Sequence, residues 1–334
     1  MKLLIFTDNH FCQYSSILRS RGNKYSTRLE NQIMSLNWVN KIAVERGCDE
    51  IISMGDFFDK STINAEETTA LTEIKWADLP LKFIVGNHEI MKNDNSCSST
   101  HLFKLIPNAE VIDSPRVIDG IGYLPYTLEA NKKSLTEYFN PVPELIFSHN
   151  DLKGIVINDY VFKEGVDVNE IKKYCKLFVN GHIHSGSVID SKIINLGNLT
   201  GQNFSENAFF YKHKILIVDT ETLEYELIEN PYAINFYKCE GLNQIKKIKD
   251  EHAVISVTCY DSEVEAVREC INKINPIAAR TVIKYKSNGT SYDGFEDIEN
   301  VDLSVDHIEK FREFIHSTLG NSELVEGELN KIIG

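Results

Sequence analysis

Five short apolar runs punctuate the first 180 residues, and each breaks off at polar residues. They are KLLIF (2–6) ahead of Thr7, EIISM (50–54) ahead of Gly55, LKFIV (81–85) ahead of Gly86, ELIFS (144–148) ahead of His149, and CKLFV (175–179) ahead of Asn180. Runs of this length without alternation predict strands covered on both faces. Between the first two, residues 27–47 place Ile33, Leu36, Val39, Ile42 and Ala43 at helical spacing, with Gly47 at the expected C-terminus. Residues 64–78 (NAEETTALTEIKWAD) predict a second helix. Strand alternating with helix implies an α/β sheet, and ligands bind such sheets at the carboxyl ends of the strands.

After Gly186 the pattern turns strand-rich, with 187–198, 208–222 and 223–239 reading as strand-like pieces between turn residues. Near Glu240 it changes again: 252–260 reads as strand, 262–274 as helix and 280–287 as strand. The expected organisation is a large domain over 1–238, a small α/β unit over 239–288, a polar linker over 289–303 and a helical tail over 304–334. Ile308, Phe311, Phe314 and Ile315 share one face of that tail.

Composition narrows the function classes. A chain of 334 residues with 42% hydrophobic and 25% charged residues is ordinary globular material. No apolar stretch approaches the roughly 18 residues that span a bilayer, and the first apolar run is too short for a secretion signal, so a cytoplasmic location is expected. Seven cysteines, scattered and without a C-x-x-C pair, predict reduced thiols. The net charge of −14 argues against a protein that grips nucleic acid over its whole surface. It leaves room for a local basic track, and Arg19, Arg21, Lys24 and Arg28 in ILRSRGNKYSTR are the candidates to meet a phosphate backbone. The same four residues read equally well as a solvated loop and helix start.

The chemistry gathers where the strands end. The first run leads into TDNH with Asp8 and His10, the second into GDFFD with Asp56 and Asp59, and the third into GNHE with Asn87 and His88. The fourth gives SHND with His149, and the fifth GHIH with His182 and His184. Singly, each cluster is no more than a turn or a hydrogen-bonded histidine. Together they place five of the ten histidines at four of these five strand ends, with two carboxylates at the other. Imidazole, carboxylate and amide oxygen make a mixed N/O donor set suited to Mn²⁺, Fe or Zn²⁺, and no cysteine stands among them. In an extended segment His182 and His184 point the same way, so each can serve a different ion of a close pair.

The ordered set DNH, GDFFD, GNHE, SHND and GHIH resembles the calcineurin-like metallophosphoesterases, over roughly the first 200 residues. The resemblance implies a four-layer α-β-β-α sandwich carrying a small C-terminal α/β capping domain and a tail helix. It implies two divalent cations, with Mn²⁺ favoured over Mg²⁺, Fe or Zn²⁺. Asp8, His10, Asp56 and His184 would hold one ion, and Asp56, Asn87, His149 and His182 the other, with Asp56 bridging. His88 would be free to act on substrate, and Asp59 would orient a ligand histidine or its loop. Two cations about 3.5–4 Å apart would activate a shared water toward phosphorus. Within the superfamily the chain looks most like SbcD-type nuclease subunits of bacterial and phage recombination. That likeness implies DNA as substrate, an SbcC-like SMC-type ATPase bound through the tail, a possible homodimer, and a bacterial or phage-infected cell. The alternatives are a stand-alone phosphatase or cyclic-nucleotide phosphodiesterase acting on a small substrate, and a scaffold without activity.

Overall fold

The computed structural model describes residues 1–284 except 19, 129–132 and 158–159. The expected linker and tail helix, and Arg19, lie outside the described residues.

All five apolar runs form strands, at Lys2–Phe6, Glu50–Ser53, Leu81–Ile84, Leu145–Ser148 and Leu177–Asn180. They belong to two six-stranded sheets. The first runs in the order 225–229, 214–219, 2–6, 50–53, 81–84, 109–112, and the second 187–190, 193–195, 177–180, 145–148, 121–124, 116–118. In each, four neighbouring strands are parallel: Leu3 pairs with Glu50 in one sheet and Leu177 with Leu145 in the other. Antiparallel strands close both edges of the second sheet and one edge of the first, whose other edge is the parallel strand 109–112.

The burial on both faces follows from two different partners. Along the first strand, Leu3 and Ile5 point into a core shared between the sheets with Tyr123, Phe147 and Val179, while Leu4 and Phe6 point outward against helix α1 (Thr27–Glu45). α1 fits there because Leu29, Leu36, Val39 and Ala43 form one fully buried stripe. Each such leucine contributes about 2 kcal/mol on burial. On the far side, Ile146, Phe178 and Ile193 pack against α3 (Leu135–Tyr138) and α4 (Val168–Tyr174). The result is the α-β-β-α sandwich.

Two elements depart from the sequence expectation. Helix α2 covers Ala65–Leu71 and stops well short of residue 78. Its start is firm, since Asn64 and Glu67 form a reciprocal capping box. Its end is set from outside: Asn37 and Asn40 on α1 accept the backbone N–H groups of Lys75 and Ala77 at 2.6 and 2.8 Å, which draws the chain out of the helix. The piece at 208–222 is strand only from Lys214 to Asp219, and residues 208–213 turn instead.

The run 223–239 is shared between sheets. Tyr225–Glu229 edges the first large sheet, whereas Asn235–Glu240 joins Ala253–Tyr260 and Ala278–Lys284 in a small parallel sheet. This sheet is covered by α5 (Gly241–Ile245) and α6 (Val264–Ile274), around Cys239, Ile245, Val257 and Val267. It touches the sandwich through residues 201–208: the Phe204 ring lies 5.1 Å from that of Phe236 and beneath the Arg280 guanidinium, and the Ala208 N–H donates to the Phe236 carbonyl. No helix among the described residues is long and apolar enough to cross a membrane.

Candidate metal centre

The carboxyl ends of the parallel strands of both sheets meet along one edge, where the loops after them are tied to each other by backbone hydrogen bonds. The Asp8 N–H donates to the Gly55 carbonyl, His10 N–H to Asp56, and Gly181 N–H to Ser148. Four site residues adopt left-handed backbone there: Asp8 (φ 50°), His10 (48°), Asp56 (48°) and His182 (73°). Such conformations cost non-glycine residues about 1 kcal/mol or more each and persist only where the surroundings hold them. The left-handed turn at His182 corrects the extended reading of GHIH: the two histidines diverge and reach different clusters.

Those clusters are Asp8, His10 and His184; His10, Asp56 and His88; and Asp56, His149 and His182. In each, one donor atom per residue lies within 4.8 Å of the others. His10 Nε2 faces His184 Nε2 at 3.0 Å, and both stand 3.9 Å from Asp8 Oδ1. His149 Nε2 stands 3.1 Å from Asp56 Oδ2, and His182 Nδ1 lies 2.8 Å from Asn87 Oδ1. His10 and Asp56 each belong to two of the groups. The second Asp56 oxygen accepts the His88 N–H at 2.9 Å.

The outward ring nitrogens are anchored by oxygens. His149 Nδ1 donates to the Met54 carbonyl at 2.6 Å, His184 Nδ1 faces Glu206 Oε1 at 2.9 Å, and His10 Nδ1 faces Asp59 Oδ1 at 3.2 Å. His182 is reversed, with Nε2 3.4 Å from Asp151 Oδ1. A proton fixed on the outward nitrogen leaves the inward one bare. Bare lone pairs 3.0 Å apart on His10 and His184 repel unless a proton or a cation lies between them. Asp8 Oδ1 is buried without a hydrogen-bond partner, although buried polar atoms ordinarily have one. The donor set therefore fits a pair of divalent cations.

The electrostatics agree. Burial would make His149 less basic, yet Asp56 and Asp8 outweigh it and hold its pKa up to about 9. Burial likewise opposes the charge of Asp56, but His149 and His10 drive that carboxyl well below the usual range. Glu206 outweighs burial to raise His184, whereas burial prevails at His10 and lowers it.

Asp59 faces two histidines: its carboxylate meets His10, and its carbonyl accepts from His88 Nδ1 at 3.0 Å. His88 is the most exposed ring of the set, with a side chain 42% exposed. Of the basic candidates, Arg28 is buried, donating to Gln202 Oε1 and to the His10 carbonyl beneath the site. Burial removes it from the surface track and makes it a brace for the His10 loop. Arg21 and Lys24 are exposed, but Arg21 pairs with Glu66 and Lys24 with Glu73, which offsets the charge each offers a phosphate.

Two buried carboxylates complete the arrangement without having been assigned a role from sequence. Glu89 accepts from the Phe58 N–H at 3.1 Å and the Gly86 N–H at 2.8 Å, stapling the GDFFD loop to the GNHE loop; burial and the Asp56 carboxylate push it up to about 7. Its position inside GNHE was the available signal. Glu206, which orients His184, also accepts from Asn198 Nδ2 and the Gln202 N–H, both at 2.8 Å. Nothing in the local sequence SENAFF marks it.

A four-layer sandwich carrying two adjoining N/O clusters at its strand ends defines a binuclear metal-dependent phosphoester hydrolase. The family model for calcineurin-like phosphoesterases matches residues 1–186, more than half the chain, and the chain belongs to that family. Members of the family use two divalent cations. Among solved structures it is similar to a novel archaeal phosphodiesterase (15% identity, 69% of this chain and 99% of that one, TM-score 0.36). It is similar also to a dimetal phosphatase from Danio rerio (13%, 69% and 98%, TM-score 0.38) and to the nuclease MPE of Pseudomonas putida (15%, 64% and 83%, TM-score 0.28). No curated protein sequence matches the chain.

Proposed function

We propose that this protein is the nuclease subunit of a DNA recombination or repair complex, cleaving phosphodiesters at the binuclear centre. The observation that carries hydrolysis is the convergence of bare inward-facing donors on two adjoining points. Asp8, His10, Asp56 and His184 would hold one ion, and Asp56, Asn87, His149 and His182 the other, with Asp56 shared. Cations bound there would supply Lewis-acid polarisation of the phosphoryl oxygens and a nucleophilic water at neutral pH.

The chain's own groups supply the rest. His88 is tethered twice, by its N–H to Asp56 and by Nδ1–H to the Asp59 carbonyl. Its Nε2 is thereby left for substrate at the exposed mouth, placed to hand a proton to the leaving oxygen. Asp59 and Glu206 keep the His10 and His184 rings turned inward. The small α/β sheet, packed on the 201–208 loop beside the centre, supports a macromolecular substrate in preference to a small one. The tail from residue 304 is the proposed grip on an SMC-type ATPase, by resemblance to SbcD-type subunits.

The test is hydrolysis of a chromogenic small diester beside degradation of linear duplex DNA in Mn²⁺, with and without an SMC-type ATPase as candidate partner. DNA degradation that rises when the ATPase is present, and co-purification of the two, are the expected results. Turnover of the small diester with no attack on DNA in either condition would reject the nuclease reading in favour of a small-substrate phosphodiesterase.

A further inference from the structure

Phe210 stands 90% exposed two residues from a pinned part of the metal-centre loop, the most exposed of the large apolar residues described. A lone exposed apolar side chain is commonplace. This one is held in place. In the triplet Phe209-Phe210-Tyr211 both neighbours are tied down: the Phe209 ring lies 5.1 Å from that of Tyr237, and the Tyr211 hydroxyl donates to the Asn198 carbonyl. Tyr211 also lies so close over Gly186 and Gly197 that a Cβ at either would collide with it. Asn207 ties the turn further, its carbonyl accepting the N–H groups of Phe210 and Tyr211 at 2.9 and 3.2 Å. The middle ring of the triplet is therefore presented to solvent on a fixed turn.

Its place is beside the chemistry. Glu206, four residues earlier, holds His184, and Gly186, two residues after His184, lines the same ≈170 Å³ cavity as Phe210. Val188, 49% exposed, adds an apolar rim, and positive charge comes from Lys214 and from Lys212, whose ammonium also donates to the Tyr237 hydroxyl. A flat apolar face, a shallow recess and two cations next to a phosphoester-cleaving centre match a nucleotide: base on the ring, backbone on the lysines.

We infer that Phe210 is a stacking platform for a nucleobase of the strand being cut, positioning the adjoining phosphate over the metal centre. The inference rests on the nuclease reading and names a subsite for it. Stacking of this kind is sequence-tolerant, because every base offers a π face. Phe210 so placed selects polynucleotides over small diesters and leaves base identity unread.

The experiment uses the full chain in Mn²⁺ with single-stranded oligonucleotides carrying 2-aminopurine, and a small chromogenic diester in parallel. Phe210→Ala should lower the oligonucleotide to small-diester ratio of kcat/KM about ten-fold, mostly through KM, and relieve the quenching of 2-aminopurine seen on binding. Phe210→Trp should restore both, and Phe210→Leu neither. An unchanged ratio in Phe210→Ala, or rescue by Leu as good as by Trp, overturns the inference; the latter would mark an apolar protein contact. If the unaltered enzyme cleaves the small diester and no oligonucleotide, the nuclease reading fails first and this inference falls with it.

Discussion

Asp56 and His88 sit in neighbouring loops and are joined by one hydrogen bond, yet they answer to different chemistry. Asp56 is the proposed bridge between the two ion positions, so Asp56→Ala should lose the ions themselves. His88→Ala removes only the ring that faces substrate and should keep both ions while hydrolysis of small diesters falls about 10²–10⁴-fold. Metal content per monomer beside initial rates separates the two; two ions retained in Asp56→Ala would disprove the bridge. The same distinction sorts what was readable from local sequence. Asp8, His10, Asp56, Asn87, His149, His182 and His184 stand at abrupt strand ends, where an apolar run gives way to imidazole or carboxylate. Glu206 is as close to the chemistry, but its only link to His184 is a contact across 22 residues of chain, which no spacing reveals.

Loops rather than strands carry the site, and their fit against each other is the vulnerable step. A methyl group at Gly86 would collide with the Asp56 backbone nitrogen and carboxylate. Gly86→Ala should therefore fold, since the strands are untouched, yet lose about 10²-fold or more in hydrolysis as Asp56 shifts. Circular dichroism and diester turnover on the same sample check this, and full activity would show that the loop has slack the packing does not suggest. Among the elements, the five strands and α1 were predicted by their apolar patterns, because burial on both faces or along one stripe leaves its mark in the residues themselves. α2 was predicted too long: Asn37 and Asn40, on another helix, end it by capturing the backbone of Lys75 and Ala77.

Taken whole, the molecule spends buried donors and left-handed turns on a site whose unpaired atoms call for cations. Ions that bind only the folded chain should therefore stabilise it. At about one hundred times the dissociation constant the gain is about 2.7 kcal/mol. For a unit of this size that raises Tm by roughly 5 °C, reversibly on chelation. A melting curve indifferent to Mn²⁺, Zn²⁺ and Mg²⁺ would contradict the binuclear centre.

Strand identity and most of the donor set were written locally, because a doubly covered strand must be apolar and its abrupt end leaves polar residues one or two positions away. The pairing of donors into two clusters, the inward turn of each ring, the burial of Arg28 and the exposure of Phe210 were not. Each depends on which distant group lies opposite: Met54 and Glu206 for the imidazoles, Gln202 for Arg28, and Tyr237 and Asn198 for the residues flanking Phe210. Those partners are set by the packing of whole layers, which a reading along one chain does not contain.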